Sequence, residues 1–288
     1  MKILRGDVVA QKLTQELKIQ FAKATEQLGR KPILAIVRVG DNEASTKYIE
    51  RKIEKANELG VIAKVYHYPS KISYKALLKR LDDINVEADG IIVQLPLPES
   101  ISVYTQPILD AVRWEKDVDG LSTRNAFNFY NKTNEFNFTP ATAQAIMNLV
   151  DYYNIEVENK KVAVIGRSTL VGKPTATLFK SRKAIVSTHN RESGIKGVEN
   201  ADILVVATGV ANLIKKENIK EGAIVFDVGT TWIKKDNKKV LVGDVDMTDL
   251  ENHIEAIAPT PGGVGPLTVV CLFKNLLEAV KYNNDLWL

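Results

Sequence analysis

Tyr48 and Lys52 stand four residues apart in a stretch of helical periodicity, so both side chains leave one face, and Ser45, three residues earlier, extends it. The plainer reading of that spacing is a solvated helix face. Gln94 closes the apolar run Gly90-Ile91-Ile92-Val93-Gln94-Leu95, two residues before Pro96. An amide there either points at the ligand end of a sheet or ends the strand in solvent. Asp117 and Asp119 put two carboxylates two residues apart in Lys116-Asp117-Val118-Asp119-Gly120-Leu121, where Asp-Gly also signals a turn. Lys52 and Asp119 are residue types that can serve as an acid–base pair.

A second chemistry is written at residues 162–174. An apolar strand, Val162-Ala163-Val164-Ile165, runs into Gly166-Arg167-Ser168 and then, through Gly172 and Pro174, into a helix. That order sets backbone N–H groups and a helix N-terminus where phosphates bind, and Arg167 could clamp a phosphate. The spacing is not G-x-G-x-x-G, so a simple strand-to-helix turn is the alternative. Two more strands end in small residues, at Ala207-Thr208-Gly209 and at Asp227-Val228-Gly229-Thr230, where a ligand can approach the backbone. The strand ending Ser187-Thr188-His189-Asn190-Arg191 lacks an acid to grip a ribose hydroxyl and offers Arg191, which favours NADP over NAD.

The elements that must position these residues follow from periodicity. Helix is expected over 7–28, 43–59 (stopped by Gly60) and 74–85, with strands at 33–37, 61–68 and 90–95. This alternation predicts a parallel sheet with crossover helices. It breaks over 114–140, which is polar, aromatic and irregular. Thr139-Pro140 then opens a helix to about Tyr153. A second alternation places strands at 162–165, 185–188, 203–207 and 224–228, and a last helix covers about 268–282 after the Pro/Gly-rich loop 259–266. The expected fold is therefore α/β in two domains, each a mainly parallel sheet with flanking helices, the second Rossmann-like, with a cleft between them. The boundaries expected are 1–141 plus 267–288 for the first domain and 142–266 for the dinucleotide-binding one.

Composition narrows the function classes. The 288 residues are 45% hydrophobic and 26% charged, and 39 Lys+Arg against 35 Asp+Glu leave a net +4. That is a globular balance, without the dense basic stripe of a nucleic-acid binder. No segment approaches the roughly 20 apolar residues of a membrane span, and the N-terminus meets charge too early for a signal peptide. A cytoplasmic location is expected. The single cysteine, Cys271, lies in an apolar run and reads as core. His67, His189 and His253 have no ligand spacing, so no metal is expected.

Taken together the segments resemble one family, the bifunctional methylenetetrahydrofolate dehydrogenase/cyclohydrolases. The resemblance runs in order through Val39-Gly40, Ser45, Tyr48, Lys52, Val93-Gln94-Leu95-Pro96-Leu97-Pro98 and Lys116-Asp117-Val118-Asp119-Gly120-Leu121. It continues through Gly166-Arg167-Ser168, Ala207-Thr208-Gly209, Asp227-Val228-Gly229, Gly243-Asp244-Val245-Asp246 and the specific block Pro261-Gly262-Gly263-Val264-Gly265-Pro266-Leu267-Thr268. It implies oxidation of 5,10-methylenetetrahydrofolate with NADP, or NAD as the alternative, then hydrolysis of the methenyl product to 10-formyltetrahydrofolate, by a homodimer.

Carried over residue by residue, the resemblance makes Lys52 the catalytic lysine, Tyr48 the ring that stacks on the folate and Gln94 the group that tunes Lys52. Asp119 would grip the pterin. Val93, Leu95, Pro261, Gly262, Gly263, Val264 and Gly265 would line the folate site. Gly166, Arg167, Ser168, Asn190, Arg191, Thr208, Gly209 and Thr230 would hold the dinucleotide. The chain departs from the family pattern at Trp114, at Ser122-Thr123-Arg124-Asn125-Ala126, at Asn137–Thr142 and at Ala211. Two other readings compete: a dehydrogenase of the same plan acting on an amino acid or a cyclic hydroxy acid, and a folate- or dinucleotide-binding protein without turnover. The first gives no reason for Tyr48, Gln94 or the 261–266 loop; the second is suggested by the departures around 122–142.

Overall fold

A computed structural model describes residues 1–235 and 238–286. In chain order the first elements are β1 (Lys2–Ile3), α1 (Gly6–Leu28), β2 (Ile33–Val39), α2 (Glu43–Leu59), β3 (Ile62–Tyr68), α3 (Tyr74–Glu87) and β4 (Gly90–Val93). Next come α4 (Glu99–Ser102), α5 (Thr105–Asp110), α6 (Thr123–Asn131), α7 (Ala141–Tyr152), β5 (Lys161–Ile165), α8 (Gly172–Ser181) and β6 (Ile185–His189). The chain ends with β7 (Ile203–Val206), β8 (Ile224–Asp227), β9 (Thr231–Lys235), β10 (Lys238–Val242), β11 (Ala256–Ala258) and α9 (Val264–Asn284).

The chain divides into two compact units, one of Lys12–Ala141 with residues from Val269 on, the other of Met1–Gln11 with Thr142–Thr268. The first eleven residues thus leave the domain expected for them. The cause is β1, which extends the other domain's sheet by pairing with β11, Lys2 opposite Ala256 and Ile3 opposite Ile257. A two-residue strand carries no readable pattern.

In the first unit a parallel sheet runs β3-β2-β4. Its core packs Ala35, Val37, Ile91 and Val93 against Leu77, Leu81 and Ile108. Asp89 locks the sheet's entry, accepting hydrogen bonds from both Arg30 Nη atoms (2.7 and 2.8 Å) and from Ile33 N (2.8 Å). The strand order reverses direction about β2, so the ends of β2 and β4 flank the crevice where such sheets bind ligands. The last helix joins this unit: Asn275 Nδ2, buried on α9, donates to Val118 O (2.8 Å) and Thr139 O (2.9 Å). Cys271 is buried on the same helix.

In the second unit six parallel strands run β1-β11-β8-β7-β5-β6, with Ala163, Leu204, Val225, Leu250 and Ile257 in the core. Here the reversal falls between β5 and β7. An antiparallel hairpin, β9–β10, stands apart from this sheet.

Two further differences from the sequence reading have physical causes. The irregular stretch contains α6, because Asn125 is fully buried and its amide ties the helix to Trp114 O (2.8 Å) and Asp117 Oδ2 (2.9 Å). Such long-range bonds override weak local propensity. The last helix begins at Val264, four residues early, and Pro266 falls in its first turn, where its missing N–H costs no helical bond.

Candidate active site

Asn42 starts helix α2, its side chain accepting a hydrogen bond from Ser45 N at 3.0 Å, and left-handed Gly60 ends it. The helix leaves the C-terminal end of β2 and carries Tyr48 and Lys52 along one face. Ser45, buried below them, donates to Leu95 O at 3.4 Å. Gln94 N still donates to Val37 O at 2.8 Å, so β4 delivers Gln94 to the sheet's ligand end. The Leu95–Pro96 peptide beyond it is cis.

Lys52 is half-buried and not a free solvent-facing amine. Its Nζ donates to Gln94 Oε1 at 3.0 Å, while Gln94 Nε2 donates to Leu95 O at 3.0 Å. Burial holds the Lys52 amine below the ordinary lysine value, against the opposing pull of the Asp119 carboxylate. Burial pushes the Asp119 carboxyl up, partly offset by Lys52 and reinforced by Asp117. Asp119 stands on a tight turn in which Gly120, with φ 70°, donates to Asp117 O at 2.9 Å. A Cβ on Gly120 would meet Phe138 O at 2.9 Å. Asp117 is buried as a brace for that turn, accepting from Ser122 N (2.7 Å) and Asn125 Nδ2 (2.9 Å). Tyr48, one helical turn before Lys52, keeps 42% of its surface exposed, and Val93 is buried at the end of β4.

The dinucleotide features gather on the other unit. Gly166 takes φ 107°, and a Cβ there would lie 2.2 Å from Ala207 O; one on Gly172 would lie 1.8 Å from Gly166 O. Only glycine lets the end of β5, the end of β7 and the start of α8 approach this closely. Ser168 closes the turn, its Oγ accepting from Val171 N (3.2 Å) and its carbonyl from Lys173 N (3.0 Å). Arg167 Nη2 donates to Thr188 O at 2.7 Å, which brings an exposed guanidinium to the end of β6. Asn190 braces a turn there, trading hydrogen bonds with Ser193, and Arg191 beside it is exposed. Gly209 is left-handed, with nothing within 4 Å of where a Cβ would stand. Thr230 is exposed at the end of β8. A turn narrowed by glycines at the N-terminus of α8, with open space over Gly209, fits a dinucleotide.

Pro261, Gly262, Gly263, Val264 and Gly265 lie in this second unit. Gly6, which the sequence reading passed over, secures their loop: its N–H donates to Gly262 O (2.9 Å), and a Cβ on it would lie 1.7 Å from Gly263 O. Two other groups were also missed. Asp227 and Asp244 are buried carboxylates beneath the loops that end β7 and β8. Their only sequence signal was their place in two of the segments that carry the resemblance, Asp227-Val228-Gly229 and Gly243-Asp244.

A glycine-narrowed turn at a helix N-terminus on one domain, of the kind that can receive phosphate, and a lysine held by burial below its ordinary pKa on the other are the features of a two-domain, dinucleotide-dependent enzyme with acid–base chemistry of its own. Comparison with known proteins gives the family. Residues 4–119 match the catalytic domain of tetrahydrofolate dehydrogenase/cyclohydrolase, and residues 140–284 match its NAD(P)-binding domain. The chain is 49% identical to the bifunctional protein FolD of Mycoplasmopsis synoviae, over 98% of this chain and 100% of that protein. The crystal structure of FolD from Campylobacter jejuni superposes with a TM-score of 0.91 at 33% identity, covering 98% of this chain and 99% of that one. That of the Trypanosoma brucei enzyme, complexed with NADP cofactor and inhibitor, gives 0.91 at 32% identity and 97% coverage of each. The chain belongs to the tetrahydrofolate dehydrogenase/cyclohydrolase family and has both enzyme activities.

Proposed function

We propose that the chain oxidises 5,10-methylenetetrahydrofolate to the 5,10-methenyl form with NADP, and hydrolyses that product to 10-formyltetrahydrofolate at a site centred on Lys52. The observation that carries this reading is the 3.0 Å bond from Lys52 Nζ to Gln94 Oε1, on an amine whose pKa burial has lowered.

When bound, the dinucleotide supplies the hydride acceptor. The protein's part in that step is orientation: Tyr48 offers its exposed ring to stack on the folate, and Asp119 offers a carboxylate matched to the paired donors of a pterin edge. Val93 and Leu95 shape the wall beside them. In hydrolysis, water adds to the cationic methenyl carbon and Lys52 takes the proton it loses. The bond from that carbon to N5 then opens as N5 is protonated, which leaves the formyl group on N10. Gln94, anchored through its Nε2, holds the amine toward the reacting carbon. The roles of Pro261, Gly262, Gly263, Val264 and Gly265 in folate binding rest on the family resemblance.

On the dinucleotide side, Gly166, Arg167, Ser168, Asn190, Arg191, Thr208, Gly209 and Thr230 are the contacts we assign. NADP is favoured over NAD because two guanidiniums, Arg167 and Arg191, adjoin the end of β6. The reading extends to a cytoplasmic homodimer; among the described residues no helix is long and apolar enough to cross a membrane.

Lys52→Met tests the assignment. Cyclohydrolase turnover should fall by about a hundredfold or more while NADPH affinity is retained. Equal hydrolysis by mutant and wild type would overturn it.

A further inference from the structure

Asp227 closes β8 and Asp244 follows β10, and their side chains are 2% and 0% exposed. Each faces a glycine for a steric reason. A Cβ on Gly229 would stand 1.9 Å from Asp244 Oδ1, and one on Gly243 would stand 1.7 Å from Asp227 Oδ2. The fold therefore makes room for two acids in an interior where a buried charge is costly unless its hydrogen bonds repay it.

Those bonds all run to loops at the sheet's ligand end. Asp244 Oδ2 accepts three, from Thr208 N (2.6 Å), Thr208 Oγ1 (2.8 Å) and Gly209 N (3.0 Å). Asp227 holds Asp244 in turn, accepting from Asp244 N (2.9 Å) and Val245 N (3.3 Å). The carbonyl of Asp227 also accepts from Thr260 Oγ1 at 2.8 Å, which ties in the loop before Pro261. Three loops, at 208–209, 243–245 and 260, thus converge on one pair of aspartates.

We propose that Asp244, set in place by Asp227, is the positioning residue that holds the Thr208–Gly209 turn in the form that receives the dinucleotide. The inference rests on the reading of that turn as a cofactor contact. Its logic is the donor count. Three donors aimed at one oxygen favour an anionic acceptor, and a carboxylate provides it, whereas an amide would offer a neutral oxygen and bury an N–H₂ at the Oδ1 position. With the inner amides so engaged, the outer face of Gly209 stays open. Asp244 Oδ1 has no hydrogen-bond partner among the described residues, so the carboxylate is held through Oδ2 alone.

The test is fluorescence titration of NADPH onto wild type, Asp244→Asn and Leu250→Ala, the last a core truncation in the same domain. Asp244→Asn should weaken NADPH binding about tenfold or more, because the three donors would face a neutral oxygen and an N–H₂ would be buried without a partner. In the dehydrogenase assay its KM for NADP should rise in parallel while the KM for the folate stays put. Leu250→Ala should destabilise the domain yet bind NADPH as wild type does. Wild-type affinity in Asp244→Asn, or equal weakening in Leu250→Ala, would overturn the proposal. Failure of wild type itself to bind NADPH would instead sink the cofactor reading. Should Asp244→Asn not fold, Thr208→Val removes one of the three donors and should weaken binding about threefold; unchanged affinity would overturn the proposal.

Discussion

Lys52 and Gln94, 42 residues apart in sequence, meet at 3.0 Å because α2 leaves the end of β2 and the neighbouring strand β4 ends beside it. The amide oxygen accepts a hydrogen bond from the Lys52 amine without adding a charge, so the pair leaves the amine's pKa lowered by burial. A carboxylate at position 94 would raise it instead. Gln94→Glu should therefore cut cyclohydrolase turnover at neutral pH by about tenfold or more, with partial recovery as pH rises. A stopped-flow assay of methenyl decay from pH 6 to 9 checks this.

Asp119 acts on the same amine in the opposite sense, raising the pKa that burial lowers. Asp119→Asn removes that pull, so Lys52 should lose its proton at lower pH than in wild type. The rising limb of cyclohydrolase kcat, measured at saturating folate, should move toward acid. A shift toward alkali would contradict the electrostatics argued for the site.

Asp227 makes stability depend on pH. Burial, helped by the charge of Asp244, pushes its carboxyl up to about 7 against the pull of two backbone amides, whereas the unfolded chain releases that proton near 3.8. The folded state therefore binds more protons between those values. The group's contribution is fully present below the lower value and is lost as pH rises toward the upper one. The loss should be on the order of 4 kcal/mol across that window. Asp227→Asn cannot ionise, so urea denaturation at pH 4 and pH 8 should show the variant gaining on wild type by that order.

Gly166→Ala forces a Cβ against Ala207 O and a side chain onto φ 107°. Strain of about 1–3 kcal/mol is expected in the dinucleotide domain, with at least about tenfold weaker NADPH binding as the turn opens. Calorimetric melting and NADPH titration measure the two effects separately.

Trp114, one of the positions at which the chain departs from the family pattern, is a packing centre. Its ring lies 5.8 Å from Tyr282 and 6.2 Å from Phe136, and Arg124 sits 4.1 Å over its face. Trp114→Ala should destabilise the catalytic domain by about 2–4 kcal/mol and leave NADPH affinity unchanged. Denaturant unfolding of the variant with and without NADPH checks both.

Periodicity was enough to place the two α/β alternations, α2 with Tyr48 and Lys52 on one face, and the glycine turn at 166, because those patterns are local and repeat along the chain. Matching motifs then named the chemistry. What the chain could not show by itself was which distant groups meet. That Lys52 is half-buried against Gln94 and not solvated depends on where β4 ends relative to α2. That residues 1–3 belong to the second sheet depends on a pairing with β11 some 254 residues away. The helix at 123–131 exists because buried Asn125 finds Trp114 O and Asp117, and Asp244 matters because three loops aim their donors at it. Hydrogen bonds and burial between remote segments leave no periodicity in sequence; they exist only once the strands have chosen their neighbours.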